Sequence, residues 1–417
     1  MKLLLGLPRG ASGEQALILE DGMLRLLPGR EHDADLFLET LLLGRDRRVG
    51  NGHSTGEGVF DFRYGPFTGG LGETGLIHLS TYGERILAVE IDLSVKHRGV
   101  ETSLEGLPID GALSRAELVC GNFAFAHAHA FARAVERALD IHVNERSRRL
   151  SLAALELERI YNHLYVITRL AEAAAQKVLA SHLGALFEEA LRTNQRYGGS
   201  RFLHGVRRIG GIAVRDEGSL EETAARVHSI AARFADLYHS SLSSRNYLDR
   251  LHGIARIERG HAEMRSLTGP SLRAAGSDAD LRTREDLLGE FRPVVRDEGD
   301  SLARMEVRSE EILQSCSIVE AQIAALRADD GRPAAAGSGE GTDRVPVTVV
   351  GLGAAEGASG VIAWAVATDG VTVQSAYAST PSLFGYQVFA EALTGHIFTD
   401  FPFALDSFGL SFADAAR

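Results

Sequence analysis

The chain has 417 residues, 45% apolar and 24% charged, enough for two or three packed units, which excludes disorder, a collagen repeat and a small disulfide scaffold. Asp and Glu outnumber Lys and Arg 56 to 44, for a formal net charge of -12. No overall positive field gathers phosphates, and no nucleic-acid partner is expected.

Residues 1–62 are short apolar pieces broken by Gly and Pro, read as strands or an irregular lead-in. The opening MKLLLGLPRG is too short in its apolar run for a signal peptide, and no uncharged apolar run reaches about 18 residues. Membrane contact is therefore expected through partner subunits. From Tyr64 to Asp92 a turn-rich start is followed by Leu76, Ile77 and Leu79, then Ile86, Leu87 and Val89 around Gly83, which predicts a β-hairpin. The glycines Gly69–Gly72 predict a turn, because no Lys-Ser or Lys-Thr helix follows to cradle a phosphate.

Beyond Ser114 apolar residues recur every three or four positions, predicting long helices through Ala116–Leu139 and Ser151–Leu183, then Ser219–Ser244 and Glu298–Arg327. Lengths on the order of 40 Å imply a bundle core. Asp329–Arg344 reads as a flexible linker, and residues 345–417 as a β/α part whose strands turn at Asp369-Gly370. The fold class expected is α+β, mainly α: a long-helix core over 63–328 with an N-terminal hairpin, completed by a small C-terminal β region.

Generic motifs carry little chemistry. His127 and His129, two apart on a predicted helix, point to opposite sides and read as structural histidines. Glu156, Arg159, Ile160 and His163 share one face, where Glu156 and Arg159 predict an i,i+3 ion pair. Cys120 and Cys316 lie far apart and form no CxxC pair, which fits a reducing cytoplasm. No dinucleotide fingerprint is present, so nicotinamide binding is not expected.

Several segments in collinear order resemble one family. GPFTGGLGET (Gly65–Thr74), YGERILAVEIDLSVKHRGVE (Tyr82–Glu101), ELVCGNFAFAHAHAFARAVE (Glu117–Glu136), ALELERIYNHL (Ala154–Leu164), RRIGGI (Arg207–Ile212), GPSLRAAGSDADLR (Gly269–Arg282), GDSLARMEVRSEEILQS (Gly299–Ser315) and the terminal DFPFALDSFGLSFADAAR (Asp400–Arg417) are similar to the large subunit of energy-converting, formate hydrogenlyase-type nickel-iron hydrogenases. They also resemble its homologue, the quinone-site large subunit of respiratory complex I.

In the hydrogenases two CxxC pairs hold the metals through thiolates, soft donors suited to such ions. The matching positions here are Cys120, Phe123, Ser411 and Asp414, and a family arginine over the metals falls on Ser359. With three thiolates of four replaced, the resemblance implies a degenerate site, no metal and no hydrogenase activity by the chain itself. The complex I quinone-headgroup histidine and tyrosine fall on Gly72 and Gly121. A quinone is then left only to substitutes such as His78, Tyr82 or Tyr64.

Glu73 matches a glutamate that carries protons in the hydrogenases and is the candidate proton relay; the alternative is a hydrogen-bonded turn carboxylate. His97, Arg98 and Glu101 match a segment beside the cavity, either supporting it or bracing the hairpin against the bundle. Cys120 is a remnant ligand, a redox thiol or an ordinary buried cysteine. No cofactor is expected on this chain.

The resemblance implies an oxidoreductase-complex subunit coupling electron transfer to proton or ion translocation. Its partners would be an iron-sulfur small subunit carrying a 4Fe-4S cluster and antiporter-like and anchor-like membrane-arm subunits, at the cytoplasmic face of the cell membrane. The alternatives are an assembly subunit with a filled cavity and a quinone-reducing subunit with a non-standard site. An open polar cavity between Glu73, Cys120 and Ser411 would favour chemistry, and apolar filling an assembly role.

Overall fold

A computed structural model describes residues 2–5, 15–20, 23–28, 48–68, 73–328 and 348–417. The glycines Gly69–Gly72 and the linker 329–344 lie outside the described residues, as does much of the lead-in. Within it β1 (Lys2–Leu5), β2 (Gln15–Glu20) and β3 (Met23–Pro28) form an antiparallel sheet.

Period-two alternation builds the next sheet. β4 (Arg48–Gly50), β5 (Val59–Tyr64), β6 (Leu76–Tyr82) and β7 (Arg85–Asp92) pair antiparallel in the order β4-β7-β6-β5, with the expected hairpin at Gly83 in its middle. Ile77, Leu79, Val89 and Ile91 are buried on one face. The opposite face carries Asp61, His78 and Glu90, as alternation requires.

The helical part comprises α1 (Ile109–Ala116), α2 (Ala124–Ala138), α3 (Glu145–Ala173), α4 (Lys177–Gly198), α5 (Glu217–Leu242) and, after three short helices, α6 (Ser301–Ala328). α3 spans about 44 Å at 1.5 Å per residue. Asn144 caps it by accepting the Ser147 N–H at 2.8 Å, and Asp216 with Ser219 closes a capping box on α5. α3, α4, α5 and α6 enclose the largest core.

Two helix boundaries differ from expectation. Ala116–Leu139 is not one helix, because Cys120 is extended (φ -149°, ψ 122°) and Gly121–Phe123 forms a 3-10 turn. The Glu158 carboxyl group on α3 accepts the Phe125 and Ala126 N–H groups at 2.7 and 3.1 Å, satisfying first-turn donors and setting where α2 begins. Cys120 therefore stands in a bend, off the helix. Ser151–Leu183 is two helices: Ala175 adopts φ 57°, and the Gln176 N–H bonds back to the Ala171 carbonyl at 2.8 Å, so α4 packs back on α3. The Ala-rich turn carries no break in apolar period to announce it.

β8 (Val349–Gly357), β9 (Gly360–Thr368) and β10 (Val373–Ser379) form the expected C-terminal sheet, with the β9–β10 turn at Asp369-Gly370. β8 lies against α2 at backbone contact: a Cβ on Gly351 would come 1.9 Å from the Ala134 carbonyl oxygen, and one on Gly353 2.0 Å from that of Ala130. α7 (Pro381–Leu393), α8 (Phe401–Phe408) and α9 (Phe412–Ala416) then close over the β4–β7 sheet.

Candidate functional site

Positions 120 and 411 are 291 residues apart, yet their side chains touch: the Cys120 thiol donates to the Ser411 hydroxyl at 3.3 Å. Burial and the Asp414 charge push the Cys120 thiol up to about 12, against the Ser411 hydrogen bond, so it is a thiol at neutral pH. Phe123 is buried in the same core as Cys120, Ala126 and Ala413 and borders the cavity described next. Asp414 accepts from His127 Nε2 at 2.9 Å and from the Ser382 N–H at 3.2 Å. The Trp364 indole, a donor only, reaches His127 Nδ1 at 3.3 Å; Nδ1 is thus the acceptor and Nε2 carries the hydrogen given to Asp414.

Beside these residues opens a cavity of about 370 Å³. Glu73, Cys120, Ser359, Ser411 and the pair Arg169–Asp406 line it together with Tyr165, Phe187, Phe202 and Phe412. Glu73 is 37% exposed, with Lys96 Nζ at 3.9 Å. Asp406 is pushed up to about 6 by burial, with the Arg169 guanidinium 3.6 Å away pulling the other way. A carboxyl titrating there exchanges protons near neutral pH. The Ser359 hydroxyl donates to the Gly409 carbonyl at 2.7 Å.

A buried charged array starts at the cavity wall. Arg308 bonds the Ala358 and Phe408 carbonyls, next to Ser359 and Gly409, and donates to His163 Nδ1 at 3.1 Å. His163 in turn gives its Nε2–H to Glu311 at 2.7 Å. Burial depresses His163 to about 3, outweighing Glu311, so the imidazole is neutral and its tautomer is set by these two bonds. Burial would raise Glu311, but Arg273, Arg282 and His163 hold it well below the carboxylate range. Arg273 continues to Glu356 at 3.0 Å and Arg282 to Glu156 at 3.4 Å, while Glu156 makes the expected ion pair with Arg159 at 3.0 Å. Glu156, Arg282 and Glu356 line a second cavity of about 690 Å³. The array thus links two cavities. Arg159, Arg273, Arg282 and Arg308 meet Glu156, Asp280, Glu311 and Glu356 within it, a charge balance that deep burial demands.

The other sequence candidates divide. His97 donates to the Ala416 carbonyl at 2.9 Å, Arg98 to the carbonyls of Leu118, Val119 and Ala413, and Glu101 meets the Ala378 N–H and Arg417. They fasten the C-terminal segment carrying Ser411 and Asp414 to the segment before Cys120, mostly through backbone carbonyls. None of His78, Tyr82 and Tyr64 lines the cavity: His78 faces Asp61, Tyr82 is exposed and Tyr64 packs edge-on against Phe401. Among the residues not anticipated, Arg304, Arg308, Glu311 and Ser315 recur at i, i+4, i+7 and i+11 on α6, all fully buried. Charged residues at core-facing period are the signal that could have found them.

Residues 185–337 match the family described as respiratory-chain NADH dehydrogenase, 49 Kd subunit. The chain is 27% identical over 251 residues to an F(420)H(2) dehydrogenase subunit of Methanosarcina mazei, covering 58% of this chain and 67% of that protein. It is 30% identical over 266 residues to an NADH-quinone oxidoreductase subunit of Protochlamydia amoebophila, covering 60% and 64%. To formate hydrogenlyase subunit 5 of Escherichia coli it is 27% identical over 255 residues, 60% of this chain and 45% of the relative. The matches thus span about half to two thirds of these relatives. A chain in the structure of the membrane-bound sulfane sulfur reductase, an archaeal respiratory membrane complex, shares the fold: TM-score 0.75 at 22% identity, covering 87% of this chain and all of that one. Among the described residues no helix is long and apolar enough to cross a membrane.

Proposed function

We propose that this chain, a homologue of NADH-quinone oxidoreductase and formate hydrogenlyase subunits, is the large subunit of a membrane-bound oxidoreductase complex that works without a nickel-iron centre. The donor set supports this: one protonated thiol, one hydroxyl, a phenyl ring and a carboxylate already engaged by His127 and Ser382 do not fit a centre that needs four thiolates. Its partners are an iron-sulfur small subunit and membrane-arm subunits, and its task is coupling electron transfer to ion movement.

The observation that carries the coupling role is the open cavity between Glu73, Cys120 and Ser411, joined by the Arg308–His163–Glu311 array to a second cavity. The aromatic lining takes an apolar or ring-bearing electron carrier, and Asp406 and Glu73 move protons in the same cavity. Charge arriving in the cavity changes the field at Arg308 and is felt along the array, because buried charges are weakly screened. Proton-relay residues contribute on the order of 10²-fold or more to rate. In the purified complex, Glu73→Gln and Asp406→Asn should each slow reduction of a quinone analogue by about that factor; unchanged rates would remove both carboxylates from the reaction.

A second reading, an assembly subunit, draws on the ligand positions themselves. Phe123 fills one of them and the Cys120–Ser411 contact closes two more. Wild-type rates in both variants would favour it.

A further inference from the structure

We propose that the solvent-facing side of the β4–β7 sheet holds a divalent transition-metal ion, Zn2+ being the best fit, through His53, Asp61 and His78. Alternation places Asp61 on β5 and His78 on β6 on the same face, a diagonal pair, since Asp61 stands opposite Ser80 and His78 opposite Arg63. Glu90 on β7 stands directly across from His78 on that face.

His53 reaches the group from the loop before β5, and that loop is pinned on both sides of it. Asn51 exchanges two hydrogen bonds with Val89, at 3.0 and 2.7 Å, and the Ser54 N–H donates to the Ser80 hydroxyl at 3.1 Å. The imidazoles of His53 and His78 meet edge to face with centroids 5.0 Å apart. His78 Nδ1 is 3.4 Å and His53 Nδ1 3.9 Å from the Asp61 oxygens, and one ligand atom from each of the three residues lies within 4.8 Å of the others. Ligand atoms on one tetrahedral zinc stand about 3.3 Å apart, given bonds of about 2.0 Å. Shifts of about an ångström at partly exposed side chains close the set.

The other nitrogen of His53 completes the case. Nε2 lies 3.3 Å from Glu90 Oε1, an ion-pair contact rather than an aligned hydrogen bond, and a small turn of the ring gives that carboxylate the Nε2–H and leaves Nδ1 to the metal. Carboxylate–histidine–metal chains are built this way. Two imidazoles and one carboxylate, with a position left for water, suit a borderline ion such as Zn2+ rather than Ca2+ or Mg2+, which require oxygen cages. Arg63 and Arg48 approach Asp61 and Glu90 from solvent, at 3.4 and 4.0 Å; both are mostly exposed and free to swing away. The ion would fasten the loop holding His53 to the sheet, apart from the cavity of Cys120 and Ser411.

The test uses tag-free full chain stripped with chelator, then loaded with Zn2+ or Co2+ and desalted. One ion per chain is expected by elemental analysis, with the visible absorption of four- or five-coordinate Co2+ and a melting temperature that rises with added Zn2+. His53→Gln, His78→Gln and the isosteric Asp61→Asn should each weaken binding at least about 100-fold while leaving the circular dichroism spectrum intact, and Glu90→Gln about 10- to 100-fold. Absence of stoichiometric uptake, equal binding by all four variants, or displacement by equimolar Ca2+ would each overturn the proposal.

Discussion

Individual residues act here through protonation and pairing. Cys120 is buried with its thiol pushed up to about 12, and thiol reagents attack the thiolate. Iodoacetamide at pH 8 should leave Cys120 unmodified in the folded chain and alkylate it in urea, read by peptide mass spectrometry; rapid labelling of folded protein would mark a reactive thiol. Glu311 stands between His163 and the guanidinium groups of Arg273 and Arg282. Glu311→Gln leaves the array with an unbalanced buried positive charge, and the loss should be about 3–5 kcal/mol in denaturant unfolding. A loss under about 1 kcal/mol would mean that water enters the array. Little of this was legible in local sequence: His127 and Asp414 are 287 residues apart, and nothing near either names the other. The Cys120 and Ser411 pairing was reachable only by matching both ends of the chain to one family.

Elements were legible where a period ran unbroken. The hairpin at Gly83, α5, α6 and the β9–β10 turn lie where alternation or three-to-four spacing places them. The misplaced boundaries, before α2 and between α3 and α4, are set by a side chain from another helix and by a turn made of alanines. Glu158, which caps α2, is pushed up to about 8 by burial, against its two backbone N–H bonds and Arg159. A carboxyl with a folded value above its unfolded one, near 4.3, binds its proton more tightly in the native state. Its contribution is present below the unfolded value and is lost as pH rises to about 8. The unfolding free energy of Glu158→Gln relative to the parent, from denaturant titrations, should therefore rise from pH 5 to 8 with a slope of up to about 1.4 kcal/mol per pH unit, which a pH-independent difference would contradict. Gly353 lets β8 touch the α2 backbone. Gly353→Ala should cost about 1–3 kcal/mol in denaturant unfolding, through displacement of the sheet from the helix.

In the molecule taken as a whole, three cores meet around the cavity: the bundle of α3 to α6, the α2 layer on the C-terminal sheet, and the β4–β7 sheet under α7 and α8. The C-terminal helix is where they are tied, since His97, Arg98 and Glu101 all bond to it or to its flanks. Composition and periodicity reveal a bundle with small sheets; they do not reveal that Ser411 and Asp414 come to lie beside Cys120, because that depends on chain closure across the 291 residues between Cys120 and Ser411. The open space beside those residues was likewise invisible to sequence, which names the side chains but not whether their neighbours pack into the space between them. If the chain works inside a membrane complex with no nickel-iron centre of its own, purification under mild detergent, with subunit identification and metal analysis, must show it. Recovery of a cluster-bearing small subunit and membrane subunits with no nickel is the expected outcome; stoichiometric nickel, or a chain that elutes without companions, would contradict it.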